Sequence, residues 1–279
     1  KHQNGNGNFI QGSLPTITNS DIEFCNGVAH TIDHLMLPVH LEEFVPVGSS
    51  DDHHKDNPGK MKSNRMLMVF TSNDKLGDTG KKTGWQLPEA AYPYYAFEDA
   101  GFVITMASIK GGAAPVDAQF VIEELADPVN KAFWEEPGDG KKLTETTVKL
   151  SDCETADFDA IFFVGGLGTM WDFPDDPDVH RLVKEFYESG KIVSAVCHGP
   201  SALINVKLSN GDFLIKGQEI SVFTNDEEAY MKYTNVVPFL CEDRIKENGG
   251  THVKAADVFG VHVAISGNGG RLITGQNPP

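Results

Sequence analysis

The chain has 279 residues, of which 40% are hydrophobic, so it is long enough to bury a sizeable core as one large domain or two small ones. Its net charge of −17 argues against nucleic acid or an anionic membrane as a main partner. No apolar run approaches the length of a membrane span. The four cysteines have neither metal-site spacing nor disulfide-scaffold density, so we predict a cytoplasmic protein with no metal site.

Residues 1–60 differ in composition from the rest of the chain. The first eight, KHQNGNGN, are polar and rich in Gly and Asn. Apolar residues return between Ile22 and Val47, and SSDDHHKDNPGK (49–60) is a polar linker. This segment contains too few apolar residues to build a core of its own. We therefore predict an N-terminal extension and linker over 1–60, followed by one α/β domain over 61–279.

From Arg65 onward, apolar and β-branched runs alternate with segments of helical periodicity. This alternation predicts a flavodoxin-like α/β sandwich, in which helices cover both faces of a mainly parallel sheet. The predicted strands are 65–72, 102–109, 159–164, 192–196, 219–224, 261–266 and 271–274. The predicted helices are 85–100, 178–189, 201–204 and 238–247, and an acidic loop is predicted from residue 225 to the start of the last helix.

The segment KIVSAVCHGPSALIN (191–205) contains the most informative pattern. A short apolar strand is broken by Gly199 and Pro200, and residues suited to a helix resume at Ser201. Cys197 therefore lies at a sharp strand-to-helix turn, at the carboxyl end of a strand, where open α/β sheets bind ligands. Since a helix start favours thiolate over thiol, we predict that Cys197 is the reactive thiol, with a depressed pKa and a strained backbone.

A cysteine nucleophile also needs a proton-transfer partner and a site for an oxyanion. His198 is the nearest imidazole in the sequence, and it can serve if the turn brings the two side chains together. The strand that ends near Phe163 is expected at the same sheet edge, where Gly165 and Gly166 allow backbone N–H groups to approach a bound carbonyl. We predict that the N–H groups of Gly166 and His198 form an oxyanion hole.

Four motifs resemble the ThiJ/PfpI superfamily of glutamine-amidotransferase-like fold: GWQLPEA, FFVGGLGTMWDFP, AVCHGPSAL and the terminal RLITGQNPP. Within it, the chain is most similar to the branch of glutathione-independent glyoxalase III, which is also described as a stress-inducible chaperone. The resemblance implies a nucleophile at Cys197 with His198 as its partner, and a carboxyl group at Glu89. It also implies an acid after the strand that follows the elbow, best matched by Glu228, with Glu227 and Asp226 as competitors.

The function that the resemblance implies is conversion of methylglyoxal or glyoxal to a hydroxy acid without a cofactor, giving D-lactate from methylglyoxal. Cys197 would add to the aldehyde as a hemithioacetal, and Glu89 or His198 would move a proton between the two carbons. The expected partners are a small aldehyde and a second copy of the chain. Two alternatives remain: another Cys-dependent hydrolase or hydratase, such as an amidase or isocyanide hydratase, and a holdase chaperone or redox sensor.

Overall fold

The computed structural model describes residues 64–135 and 139–277, together with the backbone of three strands in the N-terminal part of the chain. Those three strands form an antiparallel sheet: β1 (Ile17–Phe24), β2 (Gly27–Ile32) and β3 (Met36–Pro38). The linker predicted at 49–60 lies outside the described residues, and the division at residue 60 stays a prediction.

The body of the molecule is organised around a seven-stranded sheet, with a separate pair of short strands beside it. The strands of both sheets are β4 (Arg65–Phe70), β5 (Val103–Ser108), β6 (Val148–Lys149), β7 (Ala160–Phe163), β8 (Ile192–Val196), β9 (Glu219–Ile220), β10 (Thr251–His252), β11 (Val263–Ser266) and β12 (Leu272–Gly275). The large sheet has the order β11-β12-β8-β7-β4-β5-β6, and each neighbouring pair is parallel except β11 and β12. β9 and β10 form the parallel pair.

The helices of the described residues are α1 (Leu87–Asp99), α2 (Ala118–Glu124), α3 (Pro128–Trp134), α4 (Gly140–Glu145), α5 (Thr169–Asp172), α6 (Pro177–Glu188), α7 (Ser201–Ile204), α8 (Asn225–Met231) and α9 (Cys241–Glu247). The segment between β5 and β7 contains three of them, although its sequence indicates no clear element.

Side chains of the central strands alternate between two apolar cores, one on each face of the sheet. In β4, Leu67 and Val69 pack into the core that contains α6, α7 and α9, whereas Met66 and Met68 pack into the core that contains α1 and α3. Strand side chains alternate with a period of two, so a strand covered on both faces is apolar throughout. The predicted flavodoxin-like fold, with a mainly parallel sheet between two helical layers, is confirmed.

Helix α6 shows how closely the periodicity fixes the packing. The predicted stripe of Val179, Leu182, Val183 and Phe186 is fully buried, and burial of such side chains stabilises by about 1.5–3 kcal/mol each. The Asp176 side chain caps the start of the helix by accepting hydrogen bonds from two backbone N–H groups of the first turn.

The acidic loop predicted from residue 225 to the helix at 238 is wrong in its first part, because residues 225–231 form α8. A capping box starts this helix: the Thr224 hydroxyl accepts a hydrogen bond from Glu227 N–H, and the Glu227 carboxylate accepts one from Thr224 N–H. The strand predicted at 219–224 is also shorter than expected and ends at Ile220. Past it, Phe223 N–H donates to the carbonyl of Cys197.

Candidate active site

Cys197 occupies the turn between β8 and α7 in a left-handed backbone conformation. Its φ is +58°, a value that residues other than glycine rarely adopt. This conformation costs a residue with a Cβ roughly 1–2 kcal/mol. Hydrogen bonds hold the residue on both sides: its N–H donates to Gly275 O at 3.0 Å, and its carbonyl accepts from Phe223 N–H at 3.0 Å. The predicted backbone strain at the elbow is confirmed.

The turn brings Cys197 and His198 face to face, although neighbours in a chain often point apart. Cys197 Sγ lies 3.3 Å from His198 Nδ1, and His198 Nε2 lies 2.7 Å from Glu228 Oε1. The His198 ring also packs against Phe223, with 4.4 Å between ring centroids. A Glu228 carboxylate that accepts from Nε2–H leaves Nδ1 as the basic nitrogen, facing the sulfur. This arrangement allows His198 to take the thiol proton.

The two other acids that the sequence left open have different surroundings. Glu227 is fully buried and accepts hydrogen bonds from the Phe259 N–H, the Gln276 amide and the Asn277 amide at 2.7–2.9 Å, in addition to its capping bonds. Asp226 is exposed and pairs with Lys254 at 2.7 Å. Of the three acids, Glu228 is therefore the one that contacts His198.

Glu89 reaches the sulfur from the first turn of α1 and is almost fully buried, with 1% of its surface exposed. Burial raises the pKa of Glu89 well above its ordinary value, although hydrogen bonds with the Cys197 thiol and the Gly165 N–H lower it in part. The approach is close enough to require glycine at position 165, because a Cβ there would lie 2.2 Å from Glu89 Oε2. A carboxyl group in this position keeps its proton and can donate it.

The depressed pKa predicted for Cys197 is wrong. Burial raises the pKa of the Cys197 thiol well above its ordinary value, and a charged Glu89 beside it raises that pKa further. The Gly166 N–H lowers the pKa of this thiol, but more weakly than burial raises it. The helix start has too little influence for two reasons: α7 has only four residues, and Cys197 is buried, with 5% of its surface exposed. Thiolate formation at Cys197 therefore depends on a proton acceptor, and His198 is in contact.

The oxyanion hole formed by the Gly166 and His198 N–H groups stays a prediction, and the structure describes the surroundings of Gly166. Gly166 has a φ of +100°, and a Cβ there would lie 2.6 Å from the carbonyl oxygen of Gly84, so the position requires glycine. The Thr169 hydroxyl donates to Gly166 O at 2.9 Å and lies 3.2 Å from His198 O, which ties the two segments together. With its peptide so placed, Gly166 N–H faces the sulfur.

Comparison with known proteins places this arrangement in a family. The DJ-1/PfpI family profile matches residues 82–215, which include Glu89, Gly166, Cys197 and His198. The match covers 134 of the 279 residues, and for this part of the chain it confirms the predicted resemblance to the ThiJ/PfpI group.

Among the similar proteins, Candida albicans glyoxalase 3 is 29% identical over 220 residues, covering 77% of this chain and 92% of the relative. The Saccharomyces cerevisiae glutathione-independent glyoxalase HSP31 is 27% identical over 224 residues, with 78% and 93% coverage. The crystal structure of the Candida enzyme superimposes with a TM-score of 0.68. That of the Francisella tularensis rapid encystment protein REP24 is 38% identical and superimposes with a TM-score of 0.72, covering 77% of this chain and 92% of REP24.

One further acid lies near this site and was not predicted from the sequence. Glu124, at the end of α2, accepts hydrogen bonds from the Gln86 side chain and the Leu87 N–H at the start of α1. No periodic pattern marks this segment, so only the folded chain shows that Glu124 lies near Glu89.

Neither 64–135 nor 139–277 contributes to a cluster of three or more His, Cys, Asp or Glu side chains arranged to hold a metal ion. Within the same residues, every helix is too short or too polar to cross a membrane.

Proposed function

We propose that this protein is a glutathione-independent glyoxalase that converts methylglyoxal to D-lactate, and glyoxal to the corresponding hydroxy acid, without a cofactor. The observation that carries the proposal is a buried thiol in contact with two different proton carriers: the His198–Glu228 pair, and the Glu89 carboxyl with its raised pKa. The relatives named glyoxalase 3 and glutathione-independent glyoxalase HSP31 support the same activity.

The first step is addition of Cys197 to the aldehyde carbon of methylglyoxal. The S–C bond forms as His198 Nδ1 takes the thiol proton, and the aldehyde oxygen becomes the hydroxyl of a hemithioacetal. The Gly166 and His198 N–H groups stabilise the negative charge on that oxygen before it is protonated.

The second step moves a proton from the aldehyde carbon to the neighbouring carbonyl carbon. Loss of the first proton gives an enediolate, and delivery of a proton to the second carbon gives a lactoyl thioester on Cys197. Glu89 and His198 are the two candidates for this transfer, since both contact the sulfur. Attack of water on the thioester then releases lactate and restores the thiol.

The test is an assay of the purified protein with methylglyoxal in the absence of glutathione and added metal. We expect saturable consumption of methylglyoxal with formation of D-lactate, and loss of turnover in Cys197→Ser. A limiting pulse of iodoacetamide should modify Cys197 before Cys153 and Cys241, because only Cys197 has a histidine in contact with its sulfur. A wild-type protein without turnover, or a fully active Cys197→Ser variant, would overturn the proposal.

The two alternative functions predict different results in that assay. An amidase or hydratase would use the same cysteine on another substrate, so the thiol would react while methylglyoxal remained. A redox sensor needs an accessible thiolate, which the 5% exposure of Cys197 disfavours.

One observation favours a holdase chaperone as a second candidate. Tyr230 (70% exposed) and Phe259 (40% exposed) pack edge to face, and the exposed Val258 and Val261 adjoin Phe259. Replacement of Phe259 by Ser should weaken suppression of client aggregation if this is a client surface, and should leave it unchanged otherwise.

We propose a cytoplasmic setting and a homodimer, with a small neutral aldehyde as substrate. A neutral substrate is compatible with the net charge of −17, because the protein's field neither attracts nor repels it strongly. Size-exclusion chromatography with light scattering tests the oligomeric state.

A further inference from the structure

The end of α2 places a second carboxyl group against the start of α1. The Glu124 side chain accepts hydrogen bonds from the Gln86 amide and from the Leu87 N–H, while its Oε2 is buried without a hydrogen-bond partner. Asn130 donates to the Glu124 carbonyl at 3.1 Å and so anchors the end of the helix. The carboxyl group is therefore held in place by both its side chain and its backbone.

The position of Glu124 matters because the residues that it contacts lie in the same helical turn as Glu89. Gln86 and Leu87 precede Glu89 by three and two residues, and Glu89 N–H donates to Gln86 O at 3.2 Å. Glu89 Oε2, like Glu124 Oε2, is buried without a partner. A negative charge on Glu124 raises the pKa of Glu89, second among the raising causes after burial.

We propose that Glu124 is a positioning residue that keeps the proton on Glu89 by holding a second negative charge at the start of α1. The proposal rests on the role of protonated Glu89 in the proposed function. Two nearby carboxyl groups in a poorly solvated region repel each other when both are charged, so ionisation of Glu124 disfavours ionisation of Glu89. The Leu87 N–H and the Gln86 amide make Glu124 the better place for the charge.

The other charged groups around this pair determine the pH at which the effect appears. Burial raises the pKa of Glu124 to about 7, and Asp117 and Glu123 of the same chain segment act in the same direction. Glu124 is therefore charged above neutral pH and protonated well below it. On the other side, Glu89 faces the Cys197 thiol and the Gly165 N–H. We expect Glu124 to influence Glu89 only above about pH 7.

The experiment measures the rate of Cys197 alkylation by iodoacetamide against pH, with mass spectrometry to assign the site. In Glu124→Gln, Glu89 loses its proton at lower pH, and the Glu89 carboxylate raises the pKa of the Cys197 thiol, so the midpoint of the alkylation profile should move to higher pH. At a fixed pH between 7 and the midpoint, alkylation should be slower by about tenfold for each pH unit of displacement. Where methylglyoxal turnover is measured, its alkaline limb should move to lower pH, because the proton on Glu89 is lost there.

Glu123→Gln is the matched control, because it removes the same charge from an exposed neighbour on the same helix. It should move the midpoint less than Glu124→Gln does. Equal midpoints in wild type and Glu124→Gln, or an equal displacement in Glu123→Gln, would overturn the proposal. If Glu124→Gln fails to fold, Glu124→Ala removes the charge without placing an amide against Leu87. A displaced midpoint in a protein without turnover would reject the glyoxalase but keep the role of Glu124.

Discussion

The proton on Glu89 is the single property on which the proposed chemistry depends most. Burial raises the pKa of this carboxyl, so at neutral pH it remains an acid that can donate to sulfur or to an enediolate carbon. As the pH rises through the folded-state pKa of Glu89, the proton is lost and the resulting carboxylate repels a Cys197 thiolate. Activity should therefore fall on the alkaline side.

Glu89→Gln separates proton transfer from simple hydrogen bonding. Gln keeps the size and a hydrogen-bond donor but has no acidic proton, so we expect methylglyoxal turnover to fall by roughly a hundred- to ten-thousand-fold. Circular dichroism and alkylation of Cys197 should show a folded protein with a modifiable thiol. Glu98→Gln, an exposed change on the same helix, is the control and should keep wild-type turnover.

Wild-type turnover in Glu89→Gln would remove this residue from the mechanism and leave His198 as the proton carrier. A loss of turnover in Glu98→Gln as well would point instead to disruption of α1.

For single residues of the site, the sequence predicts their place in the fold better than it predicts their burial and pKa. Cys197 can be located because a strand, a Gly-Pro break and a helix start surround it. Glu89 and Glu228 could be assigned only from the resemblance to the ThiJ/PfpI superfamily. The choice among residues 226–228 required the orientation of α8, since successive helical side chains point about 100° apart. The raised pKa of Cys197 could not be predicted, because burial of a turn is set by segments distant in sequence.

Helix α8 orients the His198–Glu228 pair through its first turn. Glu227 there accepts hydrogen bonds from its own N-cap Thr224 and from Phe259, Gln276 and Asn277, so it joins the helix to two later segments. The next residue in the chain is Glu228, which contacts His198. The orientation of His198 therefore depends on a neighbouring carboxylate that never touches it.

Glu227→Gln tests this dependence. An amide group would face backbone and side-chain donors, and a buried mismatch of this kind costs about 1–3 kcal/mol. We expect a lower urea midpoint and a reduced kcat. Asp226→Asn is the matched control: its ion pair with Lys254 is exposed, so the change should cost less than about 1 kcal/mol. Equal effects of the two substitutions would contradict the proposed coupling.

The error at α8 has an identifiable cause. Its residues lack a long apolar stripe, so periodicity indicates a polar loop, whereas the pattern Thr-x-x-Glu at Thr224 and Glu227 indicates a helix start. Short helices begin through such local bonds more than through amphipathic faces. The same limit applies to α2, α3 and α4, which periodicity does not indicate.

The central sheet of the whole molecule was predictable because each of its inner strands is apolar on both faces. Its order and the antiparallel β11 were not, since pairing between distant segments leaves no local pattern in the sequence.

Three thiols of the described residues are free and buried: Cys153, Cys197 and Cys241. Burial raises the pKa of each of them, so each lowers the free energy of unfolding as the pH rises into the alkaline range.

Cys153 allows this alkaline effect to be measured away from the proposed catalytic groups. Burial raises the pKa of Cys153 from 9.0 to about 11, although the nearby Arg181 lowers it in part. Between these two pH values the folded protein holds a proton that the unfolded chain has lost, so stability falls as the pH rises through this window. Cys153→Ala removes that proton, and the small cavity it leaves lowers Tm at every pH.

We therefore expect the Tm of wild type to fall between about pH 8 and pH 11, and the gap between wild type and Cys153→Ala to narrow over that range. The net charge of −17 also becomes more negative, and its self-repulsion lowers Tm in parallel. Salt separates the two causes, because the Debye length shortens from about 30 Å at 0.01 M to about 8 Å at 0.15 M. Added salt should relieve the repulsion but leave the narrowing gap in place. A gap that stays constant with pH would show that Cys153 ionises as readily in the folded protein as in the unfolded chain.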